Sequence, residues 1–134
     1  MKTTTMRIHT GSHRGVTDLT TEAASFVRDE EDGLLNIFVP HATAGVAIIE
    51  TGAGSDYDLM SIIDELLPRE DRYRHRHGSP GHGADHVLPG IIAPSTVVPV
   101  IDGQLALGTW QSIVLVDTNS DNPDRTVRFS FLPG

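Results

Sequence analysis

The sequence predicts a single α+β domain spanning residues 1–134, sandwich-like, with twisted and mainly antiparallel β-sheets and two or three helices. Short runs rich in β-branched residues recur along the chain, and Gly, Pro, Asn and Asp turns separate them. Two segments show the apolar periodicity of an amphipathic helix, and a third, residues 87–92, is predicted as a short helix or strand. A length of 134 residues suits one domain with one sizeable core.

The first half of the chain alternates between predicted strands and helices. Its predicted strands are residues 3–9, 16–19, 34–39 and 45–50. A first helix is predicted at residues 21–29, because Ala23, Phe26 and Val27 fall on one helical face. A second begins at Ser55, the predicted N-cap, with Asp58 completing a capping box. Its apolar positions recur at i, i+3, i+4 and i+7, and the helix is expected to end before Pro68.

The last third of the chain is predicted to be an antiparallel meander, with an Asp-Gly hairpin turn at residues 102–103. Its strands are expected at residues 96–100, 104–107, 112–117 and 125–132. Period-two alternation places Gln111 and Asp117 on one face of the third of these strands. Arg125 is predicted to pair with Asp117 across an Asn-Pro turn, either as a structural bridge or as part of a phosphate site.

A long polar segment, residues 68–89, lies between the first half of the chain and the predicted meander. A loop of this length in a compact domain is either functional or disordered. It holds four of the seven histidines. Its basic cluster suits a phosphorylated ligand, a salt-bridged subunit contact with Glu70 and Asp71, or a solvated surface. The cluster consists of Arg69, Arg72, Arg74 and Arg76.

The composition limits the classes of partner. A net charge of −8 argues against nucleic-acid binding, which needs clustered Lys and Arg. With no cysteine, the chain has neither disulfides nor thiolate ligands. No apolar run reaches the roughly 18–20 residues of a membrane span, and the polar start lacks the apolar segment of a signal peptide. The sequence therefore predicts a cytoplasmic protein that binds neither nucleic acid nor membrane.

Histidines are the candidate metal ligands. His82 and His86 have i, i+4 spacing and share a face if their segment is helical, and His41 or His75 can supply a third ligand. The predicted ligands are His41, His75, His82 and His86. The alternative is a set of polar loop histidines without an ion. His9 and His13 are expected to be surface residues.

Another candidate site lies at the break between the two central strands, where His41 and Thr43 follow Pro40. Such a break can present polar side chains to a ligand. Alternatively, both side chains satisfy backbone groups that the proline leaves exposed.

The order of several motifs resembles that of the YjbQ-like family. These are His41-Ala-Thr43-Ala with an apolar run to Glu50, then Pro68, Tyr73, His75 and His86, and finally Leu107-Gly-Thr-Trp-Gln111. Ala42 departs from the family pattern, which usually has threonine there. The resemblance implies a compact α+β fold of twisted antiparallel sheets, assembled as a homotrimer with polar pockets near the subunit boundaries.

The resemblance also implies an activity. It is a thiamine-phosphate synthase-like transfer, in which a thiazole phosphate displaces pyrophosphate from a hydroxymethylpyrimidine diphosphate. A divalent metal, Mg²⁺ or Zn²⁺, is expected to assist this reaction. The expected partner is therefore a small phosphorylated metabolite. The catalytic positions carried over are His41, Thr43, Glu50, Asp58, Gln111 and Arg125. Two alternatives remain: a metal-dependent hydrolase with Glu50 or Asp58 as base, and a non-catalytic metal- or metabolite-binding protein.

Overall fold

A computed structural model describes residues 1–70 and 72–134 and confirms the predicted α+β class. The strands in the described residues are β1 Lys2–His9, β2 Gly15–Asp18, β3 Gly33–Phe38, β4 Ala44–Ile49, β5 Ser95–Ile101, β6 Gln104–Leu105, β7 Ser112–Asp117 and β8 Asp124–Pro133. The helices there are α1 Thr20–Val27, α2 Ser55–Leu66, α3 His82–Val87 and a 3₁₀ turn at Leu88–Gly90. None of these helices is long and apolar enough to cross a membrane.

Two antiparallel sheets make up the framework. The larger has the strand order β1-β8-β3-β5-β6, and the smaller has the order β2-β7-β4. Side chains from both sheets meet in the main core, where Leu35 and Phe129 of the larger sheet join Leu115 of the smaller one. On its other face, the smaller sheet packs Val114 and Val116 against the side that carries α2 and α3. The smaller sheet is therefore the middle layer, and the segment with the histidine-bearing helix lies on its outer side.

The predicted meander is wrong, because β7 and β8 belong to different sheets. β7 pairs with β2 and β4, whereas β8 lies between β1 and β3. The run Ile113–Val116 is fully buried and apolar on both of its faces, as a strand in the middle of a sandwich requires. Only the β5–β6 hairpin matches the prediction, with its turn at Asp102 and Gly103, both at positive φ.

Two local predictions are also wrong. Ser55 is the first residue of α2 rather than its N-cap, since Gly54 occupies that position with φ of 101° and no side chain caps the helix. Residues 68–89 are not an unstructured loop throughout, because α3 forms directly after Gly81, whose φ is 87°. The buried side chains of Ala84 and Asp85 anchor this helix. It was not predicted from the sequence, because the segment is polar and lacks apolar periodicity.

Candidate functional site

Four histidine rings converge beside the middle layer. His82 and His86 lie one turn apart on α3, on one face as the spacing predicts, and the segment before α3 contributes His75 and His77. One nitrogen from each ring lies within 4.8 Å of the corresponding nitrogen of the other three. The rings of His75 and His86 are 3.8 Å apart between centroids, and those of His82 and His86 are 4.5 Å apart. We call these four residues the histidine cluster.

The spacing of the ring nitrogens suits a metal ion. Bonds of 2.0–2.1 Å from a tetrahedral ion to four imidazoles separate the nitrogens from one another by about 3.4 Å. In the cluster, the Nε2 atoms of His82 and His86 are 2.9 Å apart, and all the ligand atoms fall within 4.8 Å. Imidazole nitrogen is a good ligand for Zn²⁺, Ni²⁺ and Cu²⁺, whereas Mg²⁺ prefers oxygen. The donor set therefore fits Zn²⁺ better than Mg²⁺.

The surroundings favour the neutral form of His75 and His86. Burial lowers the pKa of His86, the rings of His75, His82 and His77 lower it further, and Asp85 partly opposes this effect. The pKa of His75 is lowered by desolvation first and then by His77 and His82. Neutral imidazole is the form that binds a metal. In addition, Nε2 of His75 is buried and has no hydrogen-bond partner among the residues that the structure describes.

An ion pair beneath the cluster holds α3 in place. Asp85 is fully buried and accepts two hydrogen bonds from Arg69, at 2.5 and 3.1 Å, and one from the Thr118 hydroxyl at 2.8 Å. Of the predicted basic cluster, Arg69 is therefore paired with Asp85, and Arg72 forms an ion pair with Glu70. The predicted partner Asp71 lies outside the described residues.

Close packing at Gly83 fixes the helix against the segment that carries His75. A Cβ atom at Gly83 would lie 2.6 Å from Cβ of Tyr73 and 2.8 Å from the backbone oxygen of His75. Both distances are too short for real atoms, so only glycine allows this approach. Tyr73 is itself held by a 2.7 Å hydrogen bond from its hydroxyl to the carbonyl of Pro68.

The structure brings together three of the four predicted metal ligands and adds a fourth. His75, His82 and His86 are in the cluster, whereas the fourth member is His77 rather than His41. Nε2 of His41 instead accepts a 2.9 Å hydrogen bond from the backbone N–H of Thr126. The His-x-His spacing of residues 75 and 77 is the signal that sequence reasoning missed.

Two of the predicted catalytic residues belong to a buried network. Arg125 donates to both carboxylate oxygens of Asp117, at 2.6 and 2.8 Å, and both residues are 1% exposed. This confirms the predicted pair as a structural bridge. Arg125 also donates to Oγ1 of Thr43 at 2.9 Å, and Asn119 donates to the same oxygen at 3.2 Å. These groups satisfy one another inside the protein.

Of the other predicted catalytic residues, His41 is half-buried and the remaining three are exposed. Glu50 follows the end of β4, and Asp58 lies in the first turn of α2. Oε1 of Gln111 accepts a 2.8 Å hydrogen bond from the backbone N–H of Gly108, which closes the turn before β7. None of the three is in the histidine cluster.

Comparison with known proteins agrees with this fold. The family model described as UPF0047 protein YjbQ-like matches residues 4–134. The chain belongs to the YjbQ-like family. A UPF0047 protein of Mycobacterium tuberculosis strain H37Rv is 64% identical over 123 residues, covering 92% of each chain.

A hypothetical protein of Aeropyrum pernix K1 has a solved structure with a TM-score of 0.88, 32% identity and full coverage of both chains. A YbjQ-like protein of unknown function from Sulfolobus solfataricus P2 shares the fold, with a TM-score of 0.91, 24% identity and coverage of 99% and 97%.

The expected thiamine-phosphate synthase-like function is wrong by these comparisons. The matching family is described only as YjbQ-like UPF0047, and its relatives carry the same description. The solved Sulfolobus structure is described as that of a protein of unknown function. These descriptions name no thiamine synthesis and no transferase or hydrolase reaction.

The buried ion pair gives a stability prediction. Replacing Asp117 with alanine leaves the Arg125 guanidinium buried without its carboxylate, and we expect the free energy of unfolding to fall by about 3–5 kcal/mol. The measurement is urea denaturation at neutral pH. As a control, Glu30→Ala breaks the more exposed ion pair between Lys2 and Glu30 and should cost less than about 1 kcal/mol. Equal losses in the two variants would contradict a central role for the buried pair.

His41 gives a pH prediction. Burial lowers its pKa below the ordinary 6.5, the positive charge of Arg125 lowers it further, and Asp117 partly opposes this. The unfolded chain therefore takes up a proton first, so the stability that neutral His41 contributes is complete above pH 6.5 and is lost as the pH falls towards the lower folded value. Protonation also removes the acceptor for the Thr126 N–H.

The measurement compares urea denaturation of wild type and His41→Gln between pH 7.5 and pH 5. Glutamine keeps a side-chain acceptor and does not titrate, so we expect the variant to lose less stability on acidification than the wild type. The remaining histidines contribute equally to both proteins and cancel in the difference. Parallel pH profiles would show that His41 titrates alike in the folded and unfolded chains.

Proposed function

We propose that this protein binds one divalent transition-metal ion, of the Zn²⁺ type, at the histidine cluster. The observation that carries this proposal is the convergence of four imidazole nitrogens within 4.8 Å. Rings with this spacing would repel one another if protonated, and burial keeps the pKa values of His75 and His86 low. Four protein ligands around Zn²⁺ are typical of a site that holds its metal rather than of an open catalytic site.

Bound metal would reinforce the contact between α3 and the segment that precedes it. His82 and His86 are fixed on α3, whereas His75 and His77 lie in a segment without regular secondary structure. An ion that binds the folded chain and not the unfolded one stabilises the fold by mass action. The proposed role is therefore a metal-binding one, in which the ion orders the surface around the cluster.

A phosphorylated metabolite as partner stays a prediction. Its support is a cavity of about 360 Å³ beside the cluster, within the size range of small-molecule sites. His75, His77 and Arg76 line this cavity. Arg76 uses its Nε to donate to the Tyr73 carbonyl, which holds its guanidinium close to the cavity. The positive charge there, together with a bound cation, would favour an anionic ligand. The cytoplasmic location also stays a prediction.

The metal proposal is tested with purified wild-type protein, loaded with Zn²⁺ and freed of unbound ion. We expect one zinc per chain by mass spectrometry. His86→Ala and His75→Ala should bind zinc more weakly by over about 100-fold, beyond the range known for residues that only support a ligand. A competition titration with a chelator measures this change.

His13→Ala is the matched control, because His13 is exposed and lies outside the cluster. It should bind zinc as the wild type does. Wild-type protein that is folded and takes up no Zn²⁺, Ni²⁺ or Cu²⁺ would refute the proposed function.

We also propose that the chain forms a homotrimer, as the family resemblance implies. The outer face of the larger sheet supports self-association, because Leu34 pairs directly with Pro99 on one side and Leu132 on the other. Leu34 and Leu132 are 45% and 54% exposed, and Val97 and Ile101 extend the same apolar row along β5. A contiguous exposed apolar patch marks an interaction site. Since each copy carries a net charge of −8, an uncharged row of this kind is a suitable place for two copies to meet.

Sedimentation velocity tests this assembly. We expect a species with the mass of three 14.5 kDa chains for the wild type and a shift towards monomer for Leu34→Glu, which places a charge in the apolar row. Ile62→Glu is the control, since Ile62 is 50% exposed but lies on α2. A monomeric wild type at micromolar concentration would refute the proposal.

A further inference from the structure

A carboxylate from a distant part of the chain lies against the histidine cluster. Asp121, in the turn between β7 and β8, places Oδ2 3.2 Å from Nδ1 of His82. This nitrogen is buried, and among the described residues it makes no well-aligned hydrogen bond. The opposite ring nitrogen, Nε2, faces the Nε2 atom of His86 at 2.9 Å. His82 therefore presents one nitrogen to the cluster and the other to Asp121.

Three contacts fix the position of Asp121. Its backbone N–H donates to Oδ1 of Asn119 at 3.0 Å. Its Oδ2 accepts the backbone N–H of Ser79 at 3.0 Å. At Gly78, an added Cβ would lie 2.8 Å from both Oδ2 of Asp121 and Cγ of His82, so the backbone closes directly over the pair. The carboxylate is thus held by two separate segments of the chain.

We infer that Asp121 is a positioning residue of the metal site, which holds the proton of His82 on Nδ1 and so leaves the Nε2 lone pair directed at the ion. This inference rests on the proposed metal-binding function. A ring N–H directed at a carboxylate fixes both the tautomer and the orientation of a histidine ligand and makes the other nitrogen a better donor to the metal. Asp121 contacts His82 alone among the cluster residues, so it acts through that ligand without touching the ion.

Charge supports the same assignment. Oδ2 of Asp121 accepts the backbone N–H of Ser79 at 3.0 Å, a contact that favours the charged carboxylate. An imidazole ligand brings no negative charge to a bound ion, and the nearby Asp85 is already paired with Arg69. Asp121 is thus the carboxylate that can offset part of the charge of a divalent ion.

The first test measures metal affinity in a graded series. Zn²⁺ affinity is determined by chelator competition for the wild type, Asp121→Asn and Asp121→Ala. We expect Asp121→Ala to bind about 10–100-fold more weakly, as is typical when a residue that supports a histidine ligand is removed. Asp121→Asn keeps a side-chain acceptor and loses the negative charge, so its Zn²⁺ affinity should lie between those of the wild type and Asp121→Ala.

Asp124→Ala is the matched control, because Asp124 also contacts a histidine, with Oδ1 2.9 Å from Nδ1 of His9, but lies outside the cluster. It should bind Zn²⁺ with wild-type affinity. If wild type binds zinc and Asp121→Ala binds it equally well, the positioning role is refuted while the proposed function stands. If wild type binds no metal, both are refuted.

The second test reads the ring tautomer directly, and its wild-type measurement does not depend on any variant folding. Nitrogen-15 NMR of wild-type protein, before and after addition of Zn²⁺, reports the tautomer of each histidine ring. We expect the proton of His82 on Nδ1 in both samples, and a mixed tautomer for this ring in Asp121→Ala without metal. Purely structural support of the turn would not change the ring tautomer. A proton on Nε2 of wild-type His82 would overturn the inference.

Discussion

The ion pair between Arg125 and Asp117 is the constraint on which the arrangement of both sheets depends. Asp117 is the last residue of β7 in the smaller sheet, and Arg125 lies near the start of β8 in the larger one. Their contact therefore bridges the two layers at the point where the chain passes from one to the other. Both side chains are almost fully buried, so neither charge has access to water to replace its partner. Thr43 and Asn119 supply further polar partners and tie the start of β4 to the same point.

Hydrogen bonds connect the same pair to Asp121, which lies beside the histidine cluster. Oδ1 of Asp117 accepts the backbone N–H of Asn119, and Oδ1 of Asn119 accepts the backbone N–H of Asp121. Asp121 then contacts Ser79 and His82. A turn that crosses between the sheets is thus shaped by its own side chains, and its far end forms one wall of the candidate site. Precise placement of ligands on a short helix requires this kind of support from rigid elements.

Much of the fold was predictable because its determinants are local. Period-two runs and the periodicity of Leu59, Ile63 and Leu66 identify most strands and α2 within a residue or two. The assignment of β7 and β8 to different sheets was not predictable from local pattern, since it depends on which faces are buried in three dimensions. α3 was missed because its buried positions, His82, Gly83, Ala84 and Asp85, show no apolar periodicity. Asp85 is instead buried against Arg69, and Gly83 against Tyr73. For the site, the i, i+4 spacing of His82 and His86 was informative. Nothing local showed that His41 is occupied by Thr126 or that Asp121 approaches from 39 positions beyond His82.

The composition of the segment before α3 explains why a metal suits this part of the structure. The segment is rich in arginine, histidine and glycine, and of its side chains Tyr73 is the one that joins an apolar cluster. It cannot repay the entropy of ordering its backbone by burying apolar surface. Glycines at 78, 81 and 83 allow its close packing, yet they also raise the entropy that folding must overcome. Polar atoms such as Nε2 of His75 are buried there without a hydrogen-bond partner in the described part of the chain, which adds a further cost. An ion bound by four rings satisfies these nitrogens and links the segment to α3 at once, so metal binding and local folding become a single equilibrium.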